Sequence, residues 1–165
     1  MKRLLTHLFY PGFMVKKYFT KEVLDSIELV IKDSETKHSG EICFAVEGSF
    51  SADKIFQHFD SRKRALEVFS NLRIWDTEGN SGVLIYVLLA ERKIEIIADR
   101  GISSQVNQKV WDEIAESMSS YYSKGLYEKG SVNGIMQVTE LLSQKFPNSS
   151  PSTKKNEISD KPVLL

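Results

Sequence analysis

Residues 82–90 are almost continuously apolar, with Val83, Leu84, Ile85, Tyr86, Val87, Leu88 and Leu89 in a row. That is the pattern of a central strand covered on both faces. Residues 93–98 alternate instead, Ile94, Ile96 and Ala98 against Lys93, Glu95 and Ile97, which predicts a neighbouring strand. A tight turn at Glu91-Arg92 folds the two into an antiparallel hairpin. Upstream, residues 41–46 place Ile42, Phe44 and Val46 on one face and Cys43 and Ala45 on the other. This strand is expected to be buried on both sides.

The remaining apolar positions follow the helical period. Val23, Ile27, Val30 and Ile31 predict a helix that begins near Thr20, whose hydroxyl can cap it. After Ser51, which stands with Asp53 at a helix start, Ile55, Phe56 and Phe59 form an apolar face. Ala65, Leu66, Phe69 and Leu72 continue that face. Val106, Val110, Ile114 and Met118 predict a helix capped at Ser103 or Ser104 and ended by Gly125. Val132, Ile135, Val138, Leu142 and Phe146 predict the last one, from about Ser131 to the stop at Pro147. Strand, helix and strand make a right-handed βαβ unit. With the hairpin strand added and helices on both faces, the fold class is α/β, a three-layer α/β/α sandwich with a small mixed β-sheet. Three regions follow: an N-terminal segment, 1–19, packing on the domain; the α/β domain, 20–147; and a polar, proline-containing tail, 148–165, expected to be disordered.

Composition narrows the function. The 165 residues carry 22 Lys plus Arg and 22 Asp plus Glu. This zero balance gives no electrostatic case for nucleic acid. The compact basic run Arg62-Lys63-Arg64 reads as a solvated helix face. The single cysteine, Cys43, forbids an internal disulfide and reads as a small core residue. It is compatible with a reducing cytoplasm, the expected location. No apolar run is long enough for a transmembrane segment, and the start lacks the cleavage pattern of a signal peptide. Tyr121-Tyr122 and Tyr127 are expected to form a helix-end cluster, the alternative being that they line a surface groove, and Trp75 and Trp111 are expected to pack in the core or at its rim.

The strand pattern also sorts the polar residues. The parallel strands start at Glu41 and Gly82, and the antiparallel strand ends at Asp99. Glu41, the 76–80 loop with Asp76, Glu78 and Asn80, and Asp99 therefore belong to one edge of the sheet. Converging carboxylates repel unless a proton or a cation relieves them. Oxygen donors suit a hard cation, calcium or magnesium, better than zinc. An EF-hand is excluded, because Ser81 stands where Gly is needed and Val87 where the last acid is needed. The competing reading is that Asp76 and Asn80 shape a turn while Asp99 caps the next helix or pairs with Arg100. No Gly-x-Ser-x-Gly nucleophile elbow is present. The catalytic candidates are Asp76, Arg100 and His38, the last for its place beside Ser39-Gly40-Glu41. His7 and His58 read as structural or surface residues. Free amides near Gly101, with Arg100, could face an anion.

The motifs His38-Ser39-Gly40-Glu41-Ile42, Trp75-Asp76-Thr77-Glu78, Asn80-Ser81-Gly82-Val83-Leu84-Ile85-Tyr86 and Ile94-Glu95-Ile96-Ile97-Ala98-Asp99-Arg100-Gly101 together resemble the TPM-domain family, in its small soluble bacterial branch. The resemblance spans roughly residues 23–147. It implies helices around a short mixed sheet and a divalent cation at an acidic loop pocket, carried over to Glu41, Asp76, Asn80 and Asp99. It also implies two functions, an accessory binding module with a protein partner or a metal-assisted phosphatase acting on phosphomonoesters. In the second, a metal-bound water or Asp76 would attack a phosphate neutralised by Arg100.

Overall fold

The structure is a computed structural model and describes residues 2–57, 59–148 and 155–165. His58 lies outside the described residues. In chain order the elements are α1 (Lys2–Leu8), α2 (Phe13–Tyr18), α3 (Lys21–Ser34), β1 (Glu41–Glu47), α4 (Ala52–Phe56), α5 (Ser61–Asn71), β2 (Gly82–Leu88), β3 (Lys93–Ala98), α6 (Arg100–Ser103), α7 (Gln108–Tyr122), α8 (Tyr127–Lys145) and β4 (Val163–Leu164). The sheet order is β3-β2-β1-β4. β1 pairs parallel with β2, with Glu41 opposite Gly82, and β2 pairs antiparallel with β3, with Val83 opposite Ala98. Both inner strands are buried at every position. Continuous apolar runs are what such strands require, since neither face meets water.

Each face of the sheet carries its own core. On one, Ile42, Phe44, Val46, Val83, Ile85 and Val87 pack against apolar stripes of α3, α7 and α8. On the other, Cys43, Ala45, Leu84, Tyr86 and Leu88 pack against Ala65 and Val68 of α5. Helices on both faces of a mixed sheet make the expected α/β/α sandwich. The alternation of β1 across its two faces is as the sequence predicts. Thr20 caps α3, its hydroxyl accepting from Val23 N.

Several boundaries differ for local reasons. The helical stretch after Ser51 divides, because Asp60 has extended backbone and caps α5 by accepting from Lys63 N. The division leaves Phe56 and Leu66 exposed, off the expected apolar face. The helix expected from Ser103 or Ser104 is two: α6, capped by Asp99, and α7, capped by Asn107. α8 starts at Tyr127, a turn before Ser131. The basic run is only in part a solvated face: Lys63 is exposed, but both arginines are engaged. Arg62 donates to Ile96 O and Gln108, and Arg64 is held by Glu47 and Glu67.

The largest correction concerns the tail. Among the described residues, 155–165 are ordered against the domain. β4 adds in parallel to β1, Ala45 opposite Val163, and Ile158 and Val163 pack on the second core. The addition covers an edge of β1 that would otherwise expose its backbone donors and acceptors. In the N-terminal segment Tyr10, Val15 and Tyr18 pack on the first core, whereas Leu5, Leu8, Phe9 and Phe13 are exposed. Among the described residues no helix is long and apolar enough to cross a membrane.

Candidate functional site

The edge where β1 and β2 begin and β3 ends does collect the loops the strand pattern predicts. A Cβ on Gly82 would lie 2.0 Å from the Ile74 carbonyl oxygen, and one on Gly101 would lie 2.6 Å from the carbonyl oxygens of both Gly79 and Asn80. Only glycine lets these segments approach so closely. Gly101 N donates to Asn80 O at 3.0 Å, and Asp99 N to Gly82 O at 2.8 Å. The 76–80 loop closes on itself, with Ser81 N donating to Thr77 Oγ1 and Asn80 in left-handed backbone, φ 48°.

The acids at this edge meet different partners. Asp76 is exposed and accepts from Arg73 Nη2 at 2.8 Å. Asn80 Oδ1 accepts from Arg100 Nε at 2.9 Å. Asp99 Oδ1 accepts from Arg100 N at 2.7 Å, so the turn-and-cap reading describes Asn80 and Asp99 well. Asp99 Oδ2, however, is a buried atom without a hydrogen-bond partner. Glu41 is 1% exposed, and its Oε2 accepts from the backbone N–H groups of Glu157 and Ile158. Glu157 in turn accepts from Glu78 N. Glu41, Glu78 and Glu157 border one cavity of about 400 Å³, together with Ser39, Gly101 and Phe146. Asp76 borders another, of about 310 Å³, beside Leu72 and Val163. The rim is thus one place in the fold with two cavities, and Glu157 borders both. Among the described residues, no three His, Cys, Asp or Glu side chains stand together in a ready-made metal site.

Two expected roles are corrected by the geometry. His38 is fully buried, its Nδ1–H donating to Gly40 O and its Nε2 lying 2.8 Å from Ser34 Oγ. Ser34 Oγ is 2.6 Å from Thr139 Oγ1, so the ring ties α3, the β1 approach and α8 together instead of lining the pocket. The amides near Gly101 are consumed by Asp99 Oδ1 and Asn80 O, and face no anion. His7 is structural, with Nδ1 accepting from Phe50 N and Nε2 donating to Glu91. Burial, with Glu35 nearby, pushes the Cys43 thiol up to about 12, in keeping with an inert core residue. Sequence reasoning missed Glu157, because it lies in a stretch read as disordered. The apolar Ile158 and Val163 flanking it were the available signal.

The architecture defines the class: an α/β/α sandwich with glycine-tightened acidic loops at the amino ends of its parallel strands. The TPM domain profile matches residues 15–141, and the chain belongs to the TPM domain family. Among solved structures, it is similar to the BA42 protein of the psychrophilic bacterium Bizionia argentinensis, known by NMR, at 28% identity. That match covers 88% of this chain and 94% of the other, with a TM-score of 0.77. The N-terminal domain of a P. gingivalis protein, also solved by NMR, is 13% identical over 77% of this chain and 78% of that one. Its TM-score of 0.64 shows likeness of fold alone. A search of curated proteins returns no match.

Proposed function

We propose that this TPM-domain chain is an accessory binding module whose amino-end rim takes a divalent cation, calcium or magnesium, and presents the ordered loops to a protein partner. The observation that carries the reading is Asp99 Oδ2, a buried carboxylate oxygen with no donor. Leaving such an oxygen unmet costs about 1–3 kcal/mol, and more when it is charged. A hard cation relieves that cost, and Glu78 at the neighbouring cavity, which Lys155 also borders, supplies further oxygens of the right chemistry, with Glu41 behind it already accepting two backbone amides. Asn80 and Asp76 fit less well, since arginines already hold them. Binding would require the rim loops to draw together around the ion.

The phosphatase reading asks Asp76 and Arg100 to face one phosphate. Their bonds to Arg73 and Asn80 favour the module instead.

Thermal unfolding with and without millimolar calcium or magnesium tests the proposal. At about 100 times the dissociation constant the ion adds about 2.7 kcal/mol, which raises Tm by about 5–10 °C for a domain of this size. Asp99→Asn keeps an N-cap oxygen, so the fold survives, and removes the charge. The expected result is a shift in the wild type that Asp99→Asn abolishes. No shift, or an equal shift in the variant, overturns the reading.

A further inference from the structure

The opposite end of the sheet holds a cavity of about 470 Å³, a typical size for a small-molecule site. It lies where β2 ends, beside Val87, Leu88 and Leu89. In sheets with parallel strands the crevice outside their carboxyl ends is the favoured ligand position. The acidic rim lies at the amino ends, so the two places are independent.

Three tyrosines wall this cavity, from the ends of α2, α7 and α8: Tyr18, Tyr122 and Tyr127. Tyr18 and Tyr127 stack with centroids 4.2 Å apart, and Tyr122 tilts against Tyr127 at 4.8 Å. Such an aromatic wall suits a flat ring. Arg92 and Lys93 also line the cavity. Among the described residues, neither side chain makes a hydrogen bond or an ion pair. Arg3, Arg62, Arg64, Arg73 and Arg100 are each engaged by a carboxylate, an amide or a carbonyl. Arg92 is moreover held in left-handed backbone, φ 53°, at the hairpin turn, a conformation an arginine adopts at some cost.

We propose that this cavity binds a small planar aromatic anion, its ring against the tyrosine wall and its negative group met by Arg92 and Lys93. The phenols support the assignment. Burial and the neighbouring Tyr18 phenol raise the pKa of Tyr127, so its hydroxyl stays protonated beside the bound anion. The apolar wall of Val87, Leu89 and Ile94 distinguishes the site from a bare phosphate cradle.

Amide NMR titration of the full chain with 2-naphthoate, and with neutral 2-naphthamide, tests the proposal. The naphthoate is expected to give saturable shifts at Ile94, Ser119, Ser123 and Gly125, with a Kd of about 1 mM or tighter. The amide is expected to bind about tenfold more weakly, having lost the charge-assisted bond. Arg92→Asn, which tolerates the left-handed turn, is expected to weaken naphthoate binding about tenfold and leave naphthamide unchanged, while Arg92→Lys retains most of the affinity. The proposal is overturned by the absence of saturable shifts at these amides, by equal affinity for acid and amide, or by unchanged naphthoate binding in Arg92→Asn.

Discussion

Replacing Arg64 by alanine strands a buried carboxylate. Glu47 closes β1 with its side chain 9% exposed, and Arg64 grips it through Nε at 2.7 Å and Nη2 at 3.1 Å. Tyr86 Oη donates to the same carboxylate at 2.5 Å. Burial and the Glu47 charge hold the Tyr86 phenol far above its usual range, so it remains a donor. Removing one partner of a buried pair costs about 3–5 kcal/mol. The retained Tyr86 bond places the loss near the lower end, about 3 kcal/mol, or about 6–12 °C in Tm. Urea unfolding with linear extrapolation measures it. Adding Glu47→Gln to Arg64→Ala removes the unpaired charge and recovers part of the loss. A loss below about 1 kcal/mol, the worth of an exposed pair, or no recovery in the double variant, refutes the reasoning.

Two further outcomes are expected. Gly101→Ala loses about 1–3 kcal/mol by overpacking against backbone that cannot give, whereas Gly12→Ala, with nothing within 4 Å, stays within about 0.5 kcal/mol of the wild type; paired thermal melts check both. For Glu91, burial acts to raise the carboxyl pKa, but hydrogen bonds from His7 and Arg3 outweigh it and hold the pKa below the usual value. A depressed folded pKa gives stability that is present above the unfolded value, about 4.3, and is lost as pH falls through the folded one. Glu91→Gln therefore flattens the acid limb of the urea midpoint against pH, and parallel curves for the two proteins contradict this.

Legibility in the sequence followed burial. β1 and β2 were plain because both faces are covered, so their apolar runs carry no ambiguity. The meeting of Glu41, Gly82 and Asp99 at one edge followed from strand direction alone. What the pattern could not reveal was which acid meets which cation. Arg73, one turn from Asp76, and Arg100, next to Asp99, claim oxygens that convergence alone assigns to a metal. His38 looked like a pocket residue because Ser39 and Glu41 are there, yet its ring turns inward to Ser34. The polar tail hid its role because much of its anchoring is backbone, through β4 and the amides of Glu157 and Ile158, and the apolar Ile158 and Val163 are too few to read as an element. In the tyrosine-lined cavity the pairing of Tyr122 with Tyr127 across one turn was legible as a helix-end cluster, whereas Tyr18, distant in sequence, joins them by a juxtaposition no local period reports.

Calcium titration followed by amide NMR bears most directly on the cation rim. Saturable shifts confined to residues 78–82 and 99–102 and to the Glu157 and Ile158 amides that hold Glu41, absent in Asp99→Asn, are the expected result. A spectrum unmoved at millimolar calcium, or shifts that persist unchanged in Asp99→Asn, contradicts it.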